Sequence, residues 1–145
     1  MTFNHPTFPN SKIDPFLLTS PQTTIYNCIA WAYGVIDKWY WPDAAGIYYW
    51  PSEIPRTEEV QSFISLFEAI GYVICDNGEL ENNFQKIAIY ADNFGKPSHA
   101  ARQLKSGLWT SKLGQSYDVT HTIYSMSDGH YGNVVTFMKR EIQNP

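Results

Sequence analysis

The sequence predicts an α+β domain in which a buried N-terminal helix packs on a central antiparallel sheet. Two apolar patterns with the helical period lie in the first half of the chain, whereas short apolar and alternating runs typical of strands fill the second half. Helices that are followed by strands indicate the α+β class. The length of 145 residues is enough for one compact domain.

The first helix is predicted over residues 27–39, where apolar residues occur almost all round the helix. Thr23 or Thr24 can cap its N-terminus. The preceding residues 1–23 carry four prolines among polar residues, which is typical of an extended arm on the surface. The sequence therefore predicts a Pro-rich arm followed by a single domain over residues 24–145.

The remaining elements follow in order along the chain. A second helix is predicted over residues 57–70, because apolar residues recur at intervals of three and four and Gly71 then stops the helix. Strands are predicted at residues 72–75, 86–91, 98–104 and 108–113, the last two as an antiparallel hairpin. Residues 116–126 fit a short helix, and residues 134–138 fit a final strand or helix.

An aromatic loop, residues 40–55, joins the two predicted helices. Its prolines stiffen the backbone, so that rings such as Trp41 and Trp50 can be held in place at a small entropic cost. Two interpretations fit this loop: a lid that packs on the core, or a substrate-binding wall of a cleft that also contains Cys28.

Composition excludes several classes of protein. Hydrophobic residues make up 43 % of the chain and charged residues 17 %, which indicates a folded domain. The net charge is −4 without a basic cluster, so we expect no nucleic-acid partner. We expect no metal and no cofactor, because the two cysteines lack metal-type spacing and no nucleotide-binding motif occurs.

No signal peptide and no apolar stretch of membrane-spanning length is visible in the sequence. We therefore expect a soluble cytoplasmic protein without a membrane partner. Export by a route that needs no signal peptide is compatible with this expectation.

Cys28 and His99 are the candidate catalytic pair. A thiol at a helix N-terminus meets unpaired backbone N–H groups and the positive end of the helix dipole, and both favour the thiolate. A histidine at the start of a strand is a suitable general base. The neighbouring Asn27 can support an oxyanion with its amide, or can simply cap the helix.

A third group should orient the imidazole of His99. Asp118 and His121 are the obvious polar candidates, and they would share one face if their segment is helical. Ser111 and Lys112 lie on the strand that is predicted to pair with the strand of His99, so they are also close. The sequence does not choose among these four residues.

Two cations are candidates for binding a substrate carboxylate. Arg102 alternates with apolar neighbours in its predicted strand, and Lys112 belongs to the next strand. A solvated face of the sheet is the other interpretation of these charges.

Four motifs carry a resemblance to known families. They are Asn27-Cys28-x-Ala30-Trp31-Ala32, Lys86-Ile87-Ala88-Ile89-Tyr90, His99-Ala100-Ala101-Arg102-Gln103-Leu104 and Gly107-x-Trp109-Thr110-Ser111-Lys112-Leu113-Gly114. Together they resemble a small uncharacterised bacterial domain family. Their order also resembles that of papain-like cysteine hydrolases, including NlpC-type and transglutaminase-like proteins, and this resemblance implies a papain-like fold.

The leading functional hypothesis is a cysteine-dependent amide hydrolase or acyl transferase, meaning an amidase, peptidase, deamidase or transamidase. Its partner would be a peptide, a protein or a cell-wall-type amide. The alternative is a non-catalytic binding or inhibitor domain that grips a protein or glycan with the aromatic loop. The sequence does not indicate the oligomeric state.

Overall fold

The computed structural model describes residues 1–20 and 22–142. Its strands are β1 (Thr2–Phe3), β2 (Phe16–Ser20), β3 (Val73–Cys75), β4 (Phe84–Ala91), β5 (Pro97–Gln103), β6 (Trp109–Lys112), β7 (Asp118–His121) and β8 (Asn133–Glu141). Its helices are α1 (Cys28–Tyr33), α2 (Val60–Glu68) and α3 (Ile123–Met126), and a 3-10 turn spans Pro9–Lys12. All eight strands form one antiparallel sheet in the order β1-β2-β7-β6-β5-β4-β8-β3.

The predicted α+β, papain-like fold is wrong. Within the described residues the structure is mostly an eight-stranded antiparallel sheet, and its helices are few and short. The first helix was expected over residues 27–39 but spans only Cys28–Tyr33. Gly34 ends it with a φ of 102°, and its N–H donates to the carbonyls of Ala30 and Trp31. Glycine adopts this left-handed conformation easily, which explains the early stop.

Several local predictions are confirmed. Helix α2 lies within the predicted residues 57–70. Strands β3 and β6 lie within predicted strand regions, and the predictions cover most of β4 and β5. Strands β5 and β6 form the expected antiparallel hairpin. Residues 134–138 lie within β8 and are therefore strand.

The helix predicted over residues 116–126 is wrong. Its first part is strand β7, and only the four residues of α3 are helical. All four residues of β7 are buried, and the strand pairs with β6 on one side and with β2 on the other. Pairing with a strand on each side therefore determines that these residues form a strand, although their local sequence pattern fits a helix.

The N-terminal segment contributes to the sheet. Residues 1–23, which were predicted as an extended arm, contain β1, β2 and the 3-10 turn. Leu17 pairs with Thr120 and Leu18 with Val119, so β2 covers the outer edge of β7. Part of the predicted arm is therefore a component of the domain.

Each face of the sheet has its own apolar core. Alternate residues of β4 divide between them: Ile87 and Ile89 face α1 and α2, whereas Ala88 and Tyr90 face the opposite side. The second core also includes Phe8, Phe16, Trp109, Val119 and Met126. The central strands are thus covered on both sides, so polar residues in them are buried.

In the part of the chain that the structure describes, no helix combines the length and the apolar character that a membrane span requires. The longest helix, α2, has nine residues.

We expect Gly132→Ala to lower the free energy of unfolding by about 2 kcal/mol more than Gly95→Ala does. Both glycines have a φ of +78°, so either alanine would occupy a left-handed conformation. A β-carbon at position 132 would also collide with the carbonyl oxygen of Ala91, whereas one at position 95 would meet nothing within 4 Å. Urea unfolding measures the difference, and equal losses for the two variants would contradict the clash.

Candidate active site

The candidate site lies where β5 and β6 separate. Two residue pairs join these strands, Arg102 with Thr110 and Gln103 with Trp109. Helix α1 packs against both strands. Cys28 is the first residue of α1. The backbone N–H of Ala100, which lies beyond the paired stretch of β5, lowers the pKa of the Cys28 thiol by hydrogen bonding. The N-terminus of α1 therefore contacts a part of β5 that, among the described residues, does not pair with β6.

Asn27 fixes the start of α1. Its Oδ1 accepts from the N–H of Ala30 at 3.2 Å and from the N–H of Tyr40 at 3.0 Å, while its Nδ2 donates to the Tyr40 carbonyl at 2.7 Å. All polar atoms of this buried side chain are thus engaged by the protein. Of the two roles that the sequence left open for Asn27, the cap is the one that these bonds describe.

Burial controls the thiol of Cys28, which is 5 % exposed. Desolvation raises the pKa of Cys28 to about 11, although the amides of Ala100, Ile29 and Cys28 itself and the ammonium of Lys112 all lower it. The lowered pKa that the sequence led us to expect is therefore wrong, because burial outweighs the effect of the helix N-terminus. Apart from burial, every group that acts on the pKa of the thiol favours the thiolate.

His99 has one engaged and one free ring nitrogen. Its Nε2 lies 2.9 Å from Ser111 Oγ, and its ring stacks on that of Tyr131 with a centroid distance of 4.0 Å. Its Nδ1 is buried without a hydrogen-bond partner among the described residues. Burial, followed by the charges of His121 and His130, keeps the pKa of His99 well below its usual value. The imidazole is therefore neutral at pH 7.

Ser111 links His99 to His121. The Ser111 Oγ lies 2.7 Å from Nε2 of His121, whose Nδ1 lies 2.8 Å from the carbonyl oxygen of Thr122. Burial lowers the pKa of His121 to about 4, so this ring too is neutral at pH 7.

The direction of these hydrogen bonds follows from the carbonyl. Because the oxygen of Thr122 can only accept, Nδ1 of His121 carries the proton and Nε2 accepts from the Ser111 hydroxyl. Ser111 Oγ is then free to accept from His99, so Nε2 of His99 carries its proton. The Nδ1 of His99 therefore keeps a free lone pair, and a general base accepts a proton on such a lone pair.

Asp118 and Lys112 lie opposite each other in β7 and β6, yet no ion pair joins them among the described residues. Lys112 is fully buried, and its Nζ donates to the carbonyls of Thr23, at 2.8 Å, and Gly114. Asp118 Oδ2 accepts from the hydroxyl of Tyr26 at 2.6 Å. Of the four candidates for the third group, Ser111 is the one that contacts His99 directly, and His121 is connected to His99 through Ser111.

The predicted substrate-binding residues are dispersed. The rings of Trp41 and Trp50 both pack on Phe63, each with a centroid distance of 5.3 Å, and belong to the core beneath α2. Lys112 is enclosed, as described above. Arg102 lies at the far end of β5, with its guanidinium 5.5 Å from the Trp31 ring.

The sequence did not single out Tyr26 or Tyr131. Each lies outside the predicted strands, and the sheet topology alone brings them to Asp118 and His99. Within residues 1–20 and 22–142, no group of three or more His, Cys, Asp or Glu side chains is arranged to hold a metal ion.

Comparison with protein families gives a match over most of the chain. A family model described as Domain of unknown function (DUF7689) matches residues 17–139. Neither curated proteins nor solved structures give a match.

Proposed function

The chain belongs to the DUF7689 family, a domain of unknown function, and from the geometry of its own residues we propose that it is a cysteine-dependent amide hydrolase or acyl transferase. Cys28 is the nucleophile and His99 the general base, while His121 holds His99 through Ser111. The supporting observation is the free Nδ1 of His99, since the hydrogen-bond chain leaves that atom as the proton acceptor. The backbone N–H of Ala100, the residue that follows His99, lowers the pKa of the Cys28 thiol.

The proposed reaction balances within this set of residues. His99 pairs with Tyr90 and therefore faces the side of the sheet opposite α1. In the proposed step the proton of the Cys28 thiol reaches Nδ1 of His99 through the gap between β5 and β6, and the sulfur attacks the amide carbonyl carbon. The C–N bond breaks, the leaving nitrogen takes the proton from His99, and a thioester remains on Cys28. Water or an acceptor amine then attacks the thioester, and its proton returns to the sulfur through His99. The N–H groups of Cys28 and Ala100, which lower the pKa of the thiol, are the proposed donors to the developing oxyanion.

We propose that residues 22–26, here named the N-terminal strap, move to give a substrate access to the thiol. Two contacts hold it: Lys112 Nζ donates to the carbonyl of Thr23, and the hydroxyl of Tyr26 donates to Asp118. Hydration of Cys28 after the strap opens would remove the one cause that raises the pKa of the thiol. The amides and Lys112 would then favour the thiolate.

We expect p-nitrophenyl acetate to transfer its acetyl group to Cys28 in a Cys75→Ala background, which removes the half-buried second thiol. Intact-mass spectrometry detects the thioester. His99→Gln should slow acetylation on the order of 10²-fold or more, because the general base is lost. His130→Gln is the matched control at an exposed histidine. Circular dichroism verifies that each variant is folded.

Tyr26→Phe tests the strap. It removes only the hydroxyl that donates to Asp118. A hydrogen bond to a carboxylate contributes about 1.5 kcal/mol or more, so acetylation of Cys28 should accelerate roughly tenfold. Tyr124→Phe is the control at an exposed ring. Acetylation that depends neither on His99 nor on Tyr26 would overturn the proposal.

A second function is favoured by the surface of the aromatic loop. Ile47 is 76 % exposed, and Tyr48 and Tyr49 are each 42 % exposed. Arg56 holds this stretch by donating to Asp43 and to the carbonyl of Tyr48. Exposed rings on a fixed backbone suit recognition of a protein or glycan without catalysis. Slow, equal iodoacetamide labelling of Cys28 and Cys75 in the wild type, together with no acetyl transfer, would favour this function.

A further inference from the structure

A groove of about 850 Å³ lies at the end of the sheet where β4 begins and β5 ends. Its walls also include the loop at residues 80–83, the turn that follows β5, and Ile142. This volume lies in the range of small-molecule sites. The residues that line the groove include neither the candidate nucleophile nor any member of the hydrogen-bond chain described above.

The register of the sheet places two polar side chains of the groove, Arg102 and Gln85, on one face. Arg102 pairs with Ile87, and directly opposed residues of an antiparallel pair project to the same side. Gln85 precedes Ile87 by two residues of β4, so it projects to this side too. Gln103, the next residue of β5, projects to the opposite face. A single ligand on the face of Ile87 can therefore meet Arg102 and Gln85.

Arg102 is a half-buried cation without an anion. Its guanidinium lies 5.5 Å from the Trp31 ring, and it makes no hydrogen bond and no ion pair with any described residue. Its Nε is buried and has no acceptor. Burial lowers the pKa of Arg102, yet a guanidinium remains charged in proteins. A partly desolvated cation of this kind is suited to a ligand that supplies an anion.

A second arginine on the same face adds to the positive charge. Arg140 pairs with Gln85 in the register of β8 and β4, so it projects to the side of Arg102. Its guanidinium lies 4.6 Å from the Tyr72 ring and donates to the carbonyl of Ile70 at 2.9 Å. The charge of Arg140 lowers the pKa of Arg102, as burial does. No carboxylate of the described residues forms an ion pair with either arginine.

The carboxylate in the groove wall is already paired. Glu81 lies 2.8 Å from the ammonium of Lys139 and 3.5 Å from that of Lys86. Lys105 is exposed in the wall and forms no ion pair with a described residue. The groove therefore keeps an excess of positive charge.

Gln85 offers a second donor on the face of Arg102. Its Oε1 accepts from the hydroxyl of Tyr72 at 3.4 Å, so the oxygen of the amide is used within the protein. Its Nε2 then remains to donate to a ligand. Because Arg102 and Gln85 both present donors, the group that suits them is an acceptor, and the charge of Arg102 favours an anionic one.

Apolar side chains line the same groove. They are Leu104, in the turn that follows β5, and Ile142, which is 41 % exposed. An aliphatic group of a ligand would remove part of this surface from water, which is favourable.

From the two free donors and the apolar wall we infer that the groove binds a small aliphatic carboxylic acid in its anionic form. The guanidinium of Arg102 and the Nε2 of Gln85 donate to the carboxylate, and the aliphatic chain covers Leu104 and Ile142. A carboxylate satisfies both donors, whereas a neutral amide of the same shape brings no charge to the guanidinium. The inference goes beyond the proposed catalysis and does not depend on Cys28.

The test uses the full chain and follows chemical-shift changes in ¹H–¹⁵N spectra at constant ionic strength. The probes are sodium hexanoate, hexanamide as its neutral analogue, sodium acetate as an anion without the aliphatic chain, and sodium phosphate as a different oxyanion. We expect hexanoate to cause saturable shifts at residues 80–85 and 102–105. Hexanamide, acetate and phosphate should each bind about tenfold more weakly or less.

Two variants each remove one proposed donor, and their spectra verify that they are folded. Arg102→Gln should weaken hexanoate binding about tenfold or more, and Gln85→Ala about threefold or more. Lys12→Gln is the control at an exposed lysine outside the groove, and it should not change the binding.

Three results would overturn the inference: no shifts with hexanoate, binding of any other probe as tight as that of hexanoate, or hexanoate binding that either groove variant leaves unchanged. None of them affects the proposed role of Cys28, which acetyl transfer tests separately.

Discussion

Phe63→Ala should lower the free energy of unfolding by about 3–5 kcal/mol, the range for a large ring removed from a packed core. Phe63 is fully buried on α2 and carries the rings of Trp41 and Trp50. Its loss would leave a cavity under the aromatic loop, because the rings of Trp41 and Trp50 both pack on it. Urea unfolding followed by tryptophan fluorescence measures the change.

Phe94→Ala is the matched control for this prediction. Phe94 is 96 % exposed, so the same deletion of atoms should change stability by less than about 0.5 kcal/mol. Similar losses at the two positions would show that Phe63 does not support the aromatic loop.

Acidification from pH 7 to pH 4 should remove about 3 kcal/mol of stability through His121 alone. The folded state holds the pKa of His121 at about 4, below the ordinary value of 6.5 that applies after unfolding. Between these values the unfolded chain binds the proton and the folded chain does not, so acid favours unfolding. The contribution is complete above pH 6.5 and is lost as the pH falls toward 4. The lowered pKa of His99 acts in the same direction.

Urea unfolding at a series of pH values tests this. His121→Gln should reduce the dependence between pH 6.5 and pH 4 by the contribution of His121, while the contribution of His99 remains. His130→Gln, which removes an exposed imidazole, should leave the acid-dependent loss in place. A wild-type stability that stays constant down to pH 4 would contradict a neutral, buried His121.

Sequence patterns predicted the elements whose structure is determined locally. Residues 87–91 form a continuous apolar run within the predicted strand 86–91, which becomes most of the central strand β4. Residues 57–70 show the helical period of α2. The helix expected over residues 27–39 is apolar enough to be helical, but Gly34 provides a left-handed stop. The strand order depends on pairings between distant segments and leaves no local pattern.

The choice between Asp118 and His121 shows how an error in secondary structure affects a site. In a helix, residues three apart share a face, so both could have turned toward His99. In a strand, residues three apart face opposite sides, and β7 is a strand. Asp118 therefore joins Tyr26, while His121 joins Ser111 on the face of His99. Cys28 and His99 themselves were identified by residue type and position, and their pairing remains a prediction.

The position of β8 has a consequence for how the chain folds. This strand is the last of the eight described strands to be synthesised, yet it lies between β4 and β3 and pairs with β4 along the length of that strand. The pairing of Leu18 with Val119 likewise joins distant parts of the chain. Contacts of such high sequence separation slow folding. Until residue 141 has left the ribosome, one edge of β4 has no partner and is open to pairing with another nascent chain.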